Sequence, residues 1–252
     1  MLRSMKAILG YELIAQESSV GSCKDFLFDD REWVIRYMLA DTGKWLPGRK
    51  VLISPIALEK PDWTTWRIEI NLTQDQIESA PPLAEDEPVS KQFEVDYYAH
   101  YGWPHYWVGP GPWGASAVPT DLRTAERMLG QKDDDERGDP NLRSSSEILG
   151  YHIAAADTDI GHVEDLIVDD EEWVIRYVVV DTRNWLPGRH VLVAPIWFSE
   201  ITWAQRKLFT DLTADEIKRS PEYDPASPVN REYETELYDF YGRPVYWNDS
   251  SS

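Results

Sequence analysis

Two pairs of adjacent carboxylates, Asp29-Asp30 and Asp169-Asp170, are the first residues of this chain to suggest chemistry. Such a pair can divide acid and base duties when one member is desolvated enough to hold its proton near neutral pH. Each pair is preceded by another acid, Asp25 or Asp165. Yet each lies between two apolar runs, KDFLF and WVIRYMLA in one place, EDLIV and WVIRYVVV in the other, where a polar hairpin tip belongs. Aspartate in a solvent-exposed tip serves the turn by accepting backbone N–H groups. Weak calcium binding is the chemical alternative, although the oxygen-rich loop of a helix-loop-helix calcium site is missing.

The rest of the reactive inventory is thinner. HExxH, GxSxG, CxxC and the phosphate-binding GxxxxGK pattern do not occur. The chain also offers an internal test, because residues 2–107 and 142–247 are two copies of one sequence at a constant offset of 140, with about four positions in ten identical. LRS, DD-x-EWVIRY, WLPGR and YG-x-P-x-YW appear in both. None of His100, His105, His152, His162 and His190 recurs at an equivalent position, and Cys23 is replaced by Val163. No catalytic residue, metal ligand set or cofactor is therefore expected, and the lone cysteine reads as a small buried apolar residue. A repeat of this period means two similar domains rather than a solenoid. Residues 108–141, rich in Gly and Pro and then in charge, read as a linker in which 120–130 could form a short helix.

The elements that position these residues are mainly strands. On WVIRYMLA, Trp33, Ile35, Tyr37 and Leu39 alternate with Val34, Arg36, Met38 and Ala40, so both faces are largely apolar and the strand must be covered on two sides. KVLISPI and HVLVAPI are ended by Pro55 and Pro195, and WRIEINL alternates with period two. Thr73 and Thr213 cap short helices, and residues 90–101 and 230–241 read as helices stopped by Gly102 and Gly242. Arg36 and Arg176 stand mid-strand on apolar faces, where an unpaired guanidinium is costly. The retained acids Glu94 and Glu234, on the helix after the strands, are the expected ion-pair partners.

Aromatic residues supply the remaining candidate surface. There are twelve tryptophans. Trp45, Pro47 and Arg49, with Trp185, Pro187 and Arg189, lie in a turn where a large ring is either a plug or an exposed anchor, and the cost of exposing an indole favours the plug. Tyr101, Tyr106 and Trp107, with Tyr241, Tyr246 and Trp247, form either a lid over the core or an interface patch. Composition narrows the partners: a net charge of −20 repels nucleic acid and anionic membranes. No apolar run reaches the length of a signal peptide or a membrane helix, so a soluble, cytoplasmic protein is expected.

The run from Gly10 to Leu58, through Gly21, Asp25, the DD-x-x-W-x-I-R-Y hairpin and VLISP, resembles the PRC-barrel family, as does its second copy from Gly150 to Phe198. That family includes the cytoplasmic domain of the photosynthetic reaction-centre H subunit and the C-terminal domain of a ribosome maturation factor. The resemblance implies two small, mostly antiparallel six-stranded β-barrels in tandem, each followed by short helices packed on it, and binding rather than catalysis. The expectation is a non-catalytic adaptor for a protein partner or for itself as a homo-oligomer. The alternatives are a reaction-centre H-like role in electron transfer or proton uptake at a membrane complex, and an acidic binder of cations or small ligands.

Overall fold

The computed structural model describes residues 1–16, 18–125, 141–182 and 189–248. The first copy contributes strands β1 (Leu2–Ser4), β2 (Glu12–Ala15), β3 (Ser18–Asp29), β4 (Val34–Asp41), β5 (Val51–Ile53) and β6 (Arg67–Ile70), then helices α1 (Gln74–Glu78) and α2 (Lys91–Tyr101). The second contributes β7 (Leu142–Ser144), α3 (Ser145–Ile148), β8 (His152–Ala154), β9 (Asp159–Asp169), β10 (Ile175–Asp181), β11 (His190–Val193), β12 (Phe198–Thr202), β13 (Lys207–Thr210), α4 (Ala214–Arg219) and α5 (Arg231–Tyr241). The chain is mainly β and carries two sheets.

Each sheet is a hairpin meander extended beyond its β2 or β8 strand. One runs β5-β4-β3-β2-β6 and the other β11-β10-β9-β8-β13-β12. The β3–β4 pairing, from Ser22↔Asp41 to Asp29↔Val34, is the hairpin that the paired apolar runs predict. Gly21 and Gly161 sit where this hairpin is tightest, since a Cβ at either would lie 2.1 Å from the carbonyl oxygen of Asp41 or Asp181. Only glycine permits that approach.

Neither sheet closes into a barrel among the described residues, which corrects the expected six-stranded barrels. Pro55 and Pro195 explain the gap. Each opens a 3-10 turn, Pro55–Ala57 or Pro195–Trp197, immediately after the strand, so β5 and β11 stop before they could reach the far edge. The first sheet is only bridged across that gap by an isolated Leu58↔Ile70 pair. The sheets are also mixed, because β2 pairs with β6, and β8 with β13, in parallel.

The compact units do not follow the boundaries of the repeat. The N-unit comprises Ala7–Glu147 and Asp169–Val174, and the C-unit comprises Met1–Lys6, Ile148–Val168 and Ile175–Ser252. The LRS strands are thus exchanged: β7 of the second copy pairs with β3 in the N-unit, while β1 of the first copy pairs with β9 in the C-unit. The first part of the expected linker is equally part of the N-unit, where Trp113 is wholly buried and Pro119–Arg123 forms a 3-10 helix. The predicted 120–130 helix is therefore a 3-10 turn that ends at Arg123, and residues 126–130 lie outside the described residues.

Within each unit the helices appear where their caps predict. Thr73 and Thr213 each form a capping box, with Gln76 or Glu216 reaching back to the cap N–H. Ser90 and Asn230 cap α2 and α5, and Gly102 and Gly242 end them in the left-handed conformation.

Candidate functional site

The side chains that both copies retain converge on a buried glutamate. Glu94 has 0% of its surface exposed and lies in the first turn of α2. It accepts hydrogen bonds from Tyr37 Oη on β4 at 3.0 Å and from Tyr106 Oη at 3.1 Å, with Lys91 Nζ 3.8 Å away. Glu234 repeats the arrangement in the C-unit. There Tyr177 Oη and Tyr246 Oη both donate at 2.7 Å, and Arg231 Nη1 stands at 3.0 Å. In each unit the cage fastens the helix after the strands and the YG-x-P-x-YW tail to one strand.

The expected Arg36–Glu94 ion pair is not what forms. Arg36 is the extra residue of a β-bulge, lying between Ile35 opposite Phe28 and Tyr37 opposite Leu27, so strict alternation does not set its direction and the carboxylate of Glu94 is taken by Tyr37. Arg36, 2% exposed, instead pairs with Glu32 at 2.6 Å and donates to the Pro112 carbonyl. Its guanidinium carbon stands 3.9 Å from the centroid of the Tyr106 ring. Arg176 stacks likewise on Tyr246 at 4.1 Å, and Arg231 stands beside Glu234. Burial raises the Glu94 carboxyl above its usual range, and the Lys91 charge and the two tyrosine hydrogen bonds only partly offset that. Tyr37 and Tyr106 are pushed up too, first by burial and then by the neighbouring Glu94 charge.

A second retained device uses Asp25 and Asp165. Asp25 accepts from Ser145 Oγ at 2.7 Å, from Ser146 Oγ at 2.9 Å and from the Ser146 N–H at 3.1 Å, and also bonds Ser144 Oγ. Asp165 accepts from Ser4 Oγ and, at 3.1 Å, from the Lys6 N–H. Burial raises the Asp165 carboxyl. Each aspartate therefore clamps the exchanged LRS strand of its own unit, a role that the spacing to Asp29 does not disclose. The carboxylates of the hairpin tip perform turn work as expected: Asp29 Oδ1 accepts from Arg31 at 2.9 Å and Asp169 Oδ1 from Glu171 at 2.8 Å. Asp170, however, is buried rather than exposed.

The aromatic candidates divide. Trp45 and Tyr101 are half-buried and Pro47 is exposed, while Tyr106 and Trp107 are buried and form a lid. Arg49 spends its guanidinium on the carbonyls of Glu78 and Ala80 at 3.0 and 3.1 Å, and Arg189 donates to the equivalent Ser220 carbonyl. Tyr241, Tyr246 and Trp247 are half-buried. Trp185 and Pro187 lie outside the described residues. Trp66, which the alternation of WRIEINL groups with the apolar Ile68 and Ile70, precedes the strand and is 68% exposed. Its ring stacks on Tyr11 at 6.4 Å, and Trp63 meets Tyr11 edge-on at 5.6 Å. Trp66 also holds a left-handed backbone, φ 60°, a costly conformation for a bulky residue.

Two further constellations bear on ligands. Gly109, Gly111 and Gly114 have the glycine spacing of a dinucleotide-binding loop, but they join no strand to a helix, and the intervening Trp113 is core. His162, Glu164 and Asp181 bring three ligand atoms within 4.8 Å of one another and could hold a metal ion. Lys6 Nζ already stands 2.7 Å from Glu164. Ser22 and Lys24 occupy the first two of these positions in the first copy, so no retained pattern points to the cluster.

The fold and these retained contacts define a mainly β protein in which the shared side chains fasten helices and exchanged strands onto open sheets. A PRC-barrel domain model matches residues 140–211, so a domain of that family is present there. The stretch runs from β7 to β13. No curated protein matches the chain. Among the described residues no helix is long and apolar enough to cross a membrane.

Proposed function

We propose that this chain is a non-catalytic, cytoplasmic adaptor built of tandem PRC-type domains, the first copy being a second member of the family matched at 140–211. One observation carries the binding role. Trp66 is two-thirds exposed and stacks on the buried Tyr11, which Trp63 meets edge-on. Exposed indoles are costly to a monomer and are enriched where proteins meet. The partner is a protein, or a second copy of this chain, because the −20 charge opposes nucleic acid and anionic lipid. Affinity capture with wild-type and Trp66→Ala protein tests the proposal. A partner retained by the wild type and lost from the variant supports it, and identical captures overturn it.

A cation-binding role is favoured by one geometric fact, the His162, Glu164 and Asp181 cluster. A thermal shift with Zn²⁺ or Mn²⁺ that His162→Ala abolishes would support it. An unchanged melting temperature in either metal removes it.

A further inference from the structure

The two copies are alike in sequence but unlike in what covers them. In the N-unit the turn Pro55–Ala57 is covered by residues 112–123. Ile56 is 0% exposed, and Pro119 and Leu122 are buried beside it. Arg123 fixes the contact, donating to the carbonyls of Ile56 and, at 2.6 Å, of Leu58, and pairing with Glu59. In the C-unit the equivalent turn is Pro195–Trp197, and Ile196, the same residue type at the same position, is 71% exposed. Phe198, Tyr246 and Trp247 are half-buried there, whereas their counterparts Leu58, Tyr106 and Trp107 are buried. Among the described residues the turn occurs twice and is covered once, with Trp197, Phe198 and Ser199 standing where the N-unit has Ala57, Leu58 and Glu59.

We infer that the Ile196 face of the C-unit is a docking site for a short 3-10 segment of another protein with the chemistry of Pro119–Arg123: a proline, a branched apolar residue and an arginine. The N-unit supplies the template, since the occupant is seated there on the same turn. Leucine would cover Ile196, and the guanidinium would reach the backbone carbonyls of the turn, with Ser199 standing where Glu59 meets Arg123 in the N-unit. The acidity of the chain favours a cationic residue at that point. A second copy of this chain is disfavoured as the donor, because its own Arg123 is spent on Ile56, Leu58 and Glu59. The inference deepens the adaptor reading but uses a surface separate from Trp66, so a failed capture through Trp66 and a failed docking here are distinguishable.

A labelled peptide of residues 108–125, titrated with the full-length protein and followed by fluorescence anisotropy, tests it. Saturable binding is expected, weakened about tenfold or more by Ile196→Glu in the protein or by Arg123→Glu in the peptide, the change that losing a buried isoleucine or a charged contact implies. Ile196 is exposed, so the variant should keep the wild-type melting temperature, which is measured alongside. Absence of binding, or binding that ignores Ile196→Glu because the peptide displaces its twin from the N-unit, overturns the inference. Sedimentation velocity closes the last route: self-association abolished by Ile196→Glu would make a second copy the occupant and would equally overturn it.

Discussion

A carboxylate with two tyrosine donors and a cation beside it is stabilised and penalised at once, and for Glu94 the penalty of burial prevails, since its carboxyl is held above the usual range. The sign of the resulting pH dependence is fixed. The folded state binds a proton more readily than the unfolded chain, so this group's contribution is complete below the ordinary glutamate range and is lost as pH rises through the raised folded value. Glu94→Gln keeps an acceptor for Tyr37 and Tyr106 and has no charge to desolvate. It should therefore flatten the dependence of stability on pH across that window, which urea unfolding at a series of pH values would register; an unchanged slope would rule out Glu94 as its source. Tyr37→Phe leaves the carboxylate one donor short in a buried site, and should cost about 1–3 kcal/mol. The retained Tyr, Glu and Tyr of both copies were visible in the sequence. Their union was not, because Arg36 lies in a β-bulge that the alternation of WVIRYMLA does not reveal, and the neighbouring Tyr37 takes the carboxylate.

At the scale of elements, the exchanged strands and the covering segment are held by few side chains, and each hold can be released separately. Asp25 bonds three consecutive serines at the end of β7, so Asp25→Ala should lower the unfolding free energy by about 1–3 kcal/mol and speed amide exchange in Leu142–Ser144 ahead of the β3–β4 hairpin. Equal exchange in both segments would show that the strand needs no clamp. Trp113 is wholly buried and donates its indole N–H to the Glu172 carbonyl at 2.7 Å. Trp113→Ala should cost about 3–5 kcal/mol by equilibrium unfolding, a loss that a mere linker would not show. Strand and helix positions were legible because alternation, capping threonines and terminal glycines act over a few residues. The role of 108–125 was not. A Gly- and Pro-rich stretch has the composition of a linker whether or not one tryptophan anchors it, and only the position of the Arg36 pocket, remote in sequence, decides between the two.

For the whole molecule, the duplication is deeper than two domains in series, because each compact unit takes its LRS strand from the other copy. Periodicity could not reveal this: Leu2-Arg3-Ser4 and Leu142-Arg143-Ser144 are identical, so the sequence fits exchanged and unexchanged pairing equally well. The same identity yields a test. A fragment of residues 1–125 keeps one LRS strand, one acceptor strand β3 with its Asp25 and the covering segment with Trp113, but lacks β7. Two such fragments can satisfy each other by placing Leu2–Ser4 on the partner's β3, which rebuilds as a dimer what the full chain achieves within one molecule. Light scattering after size exclusion should therefore give twice the fragment mass. Deleting residues 1–4 should return a monomer of lower stability, because the edge of β3 and the Asp25 carboxylate then lose their partners together. A stable monomeric 1–125 would mean that the strand folds back onto its own copy, and that the exchange is a property of the connection at residues 126–141 rather than of the strand.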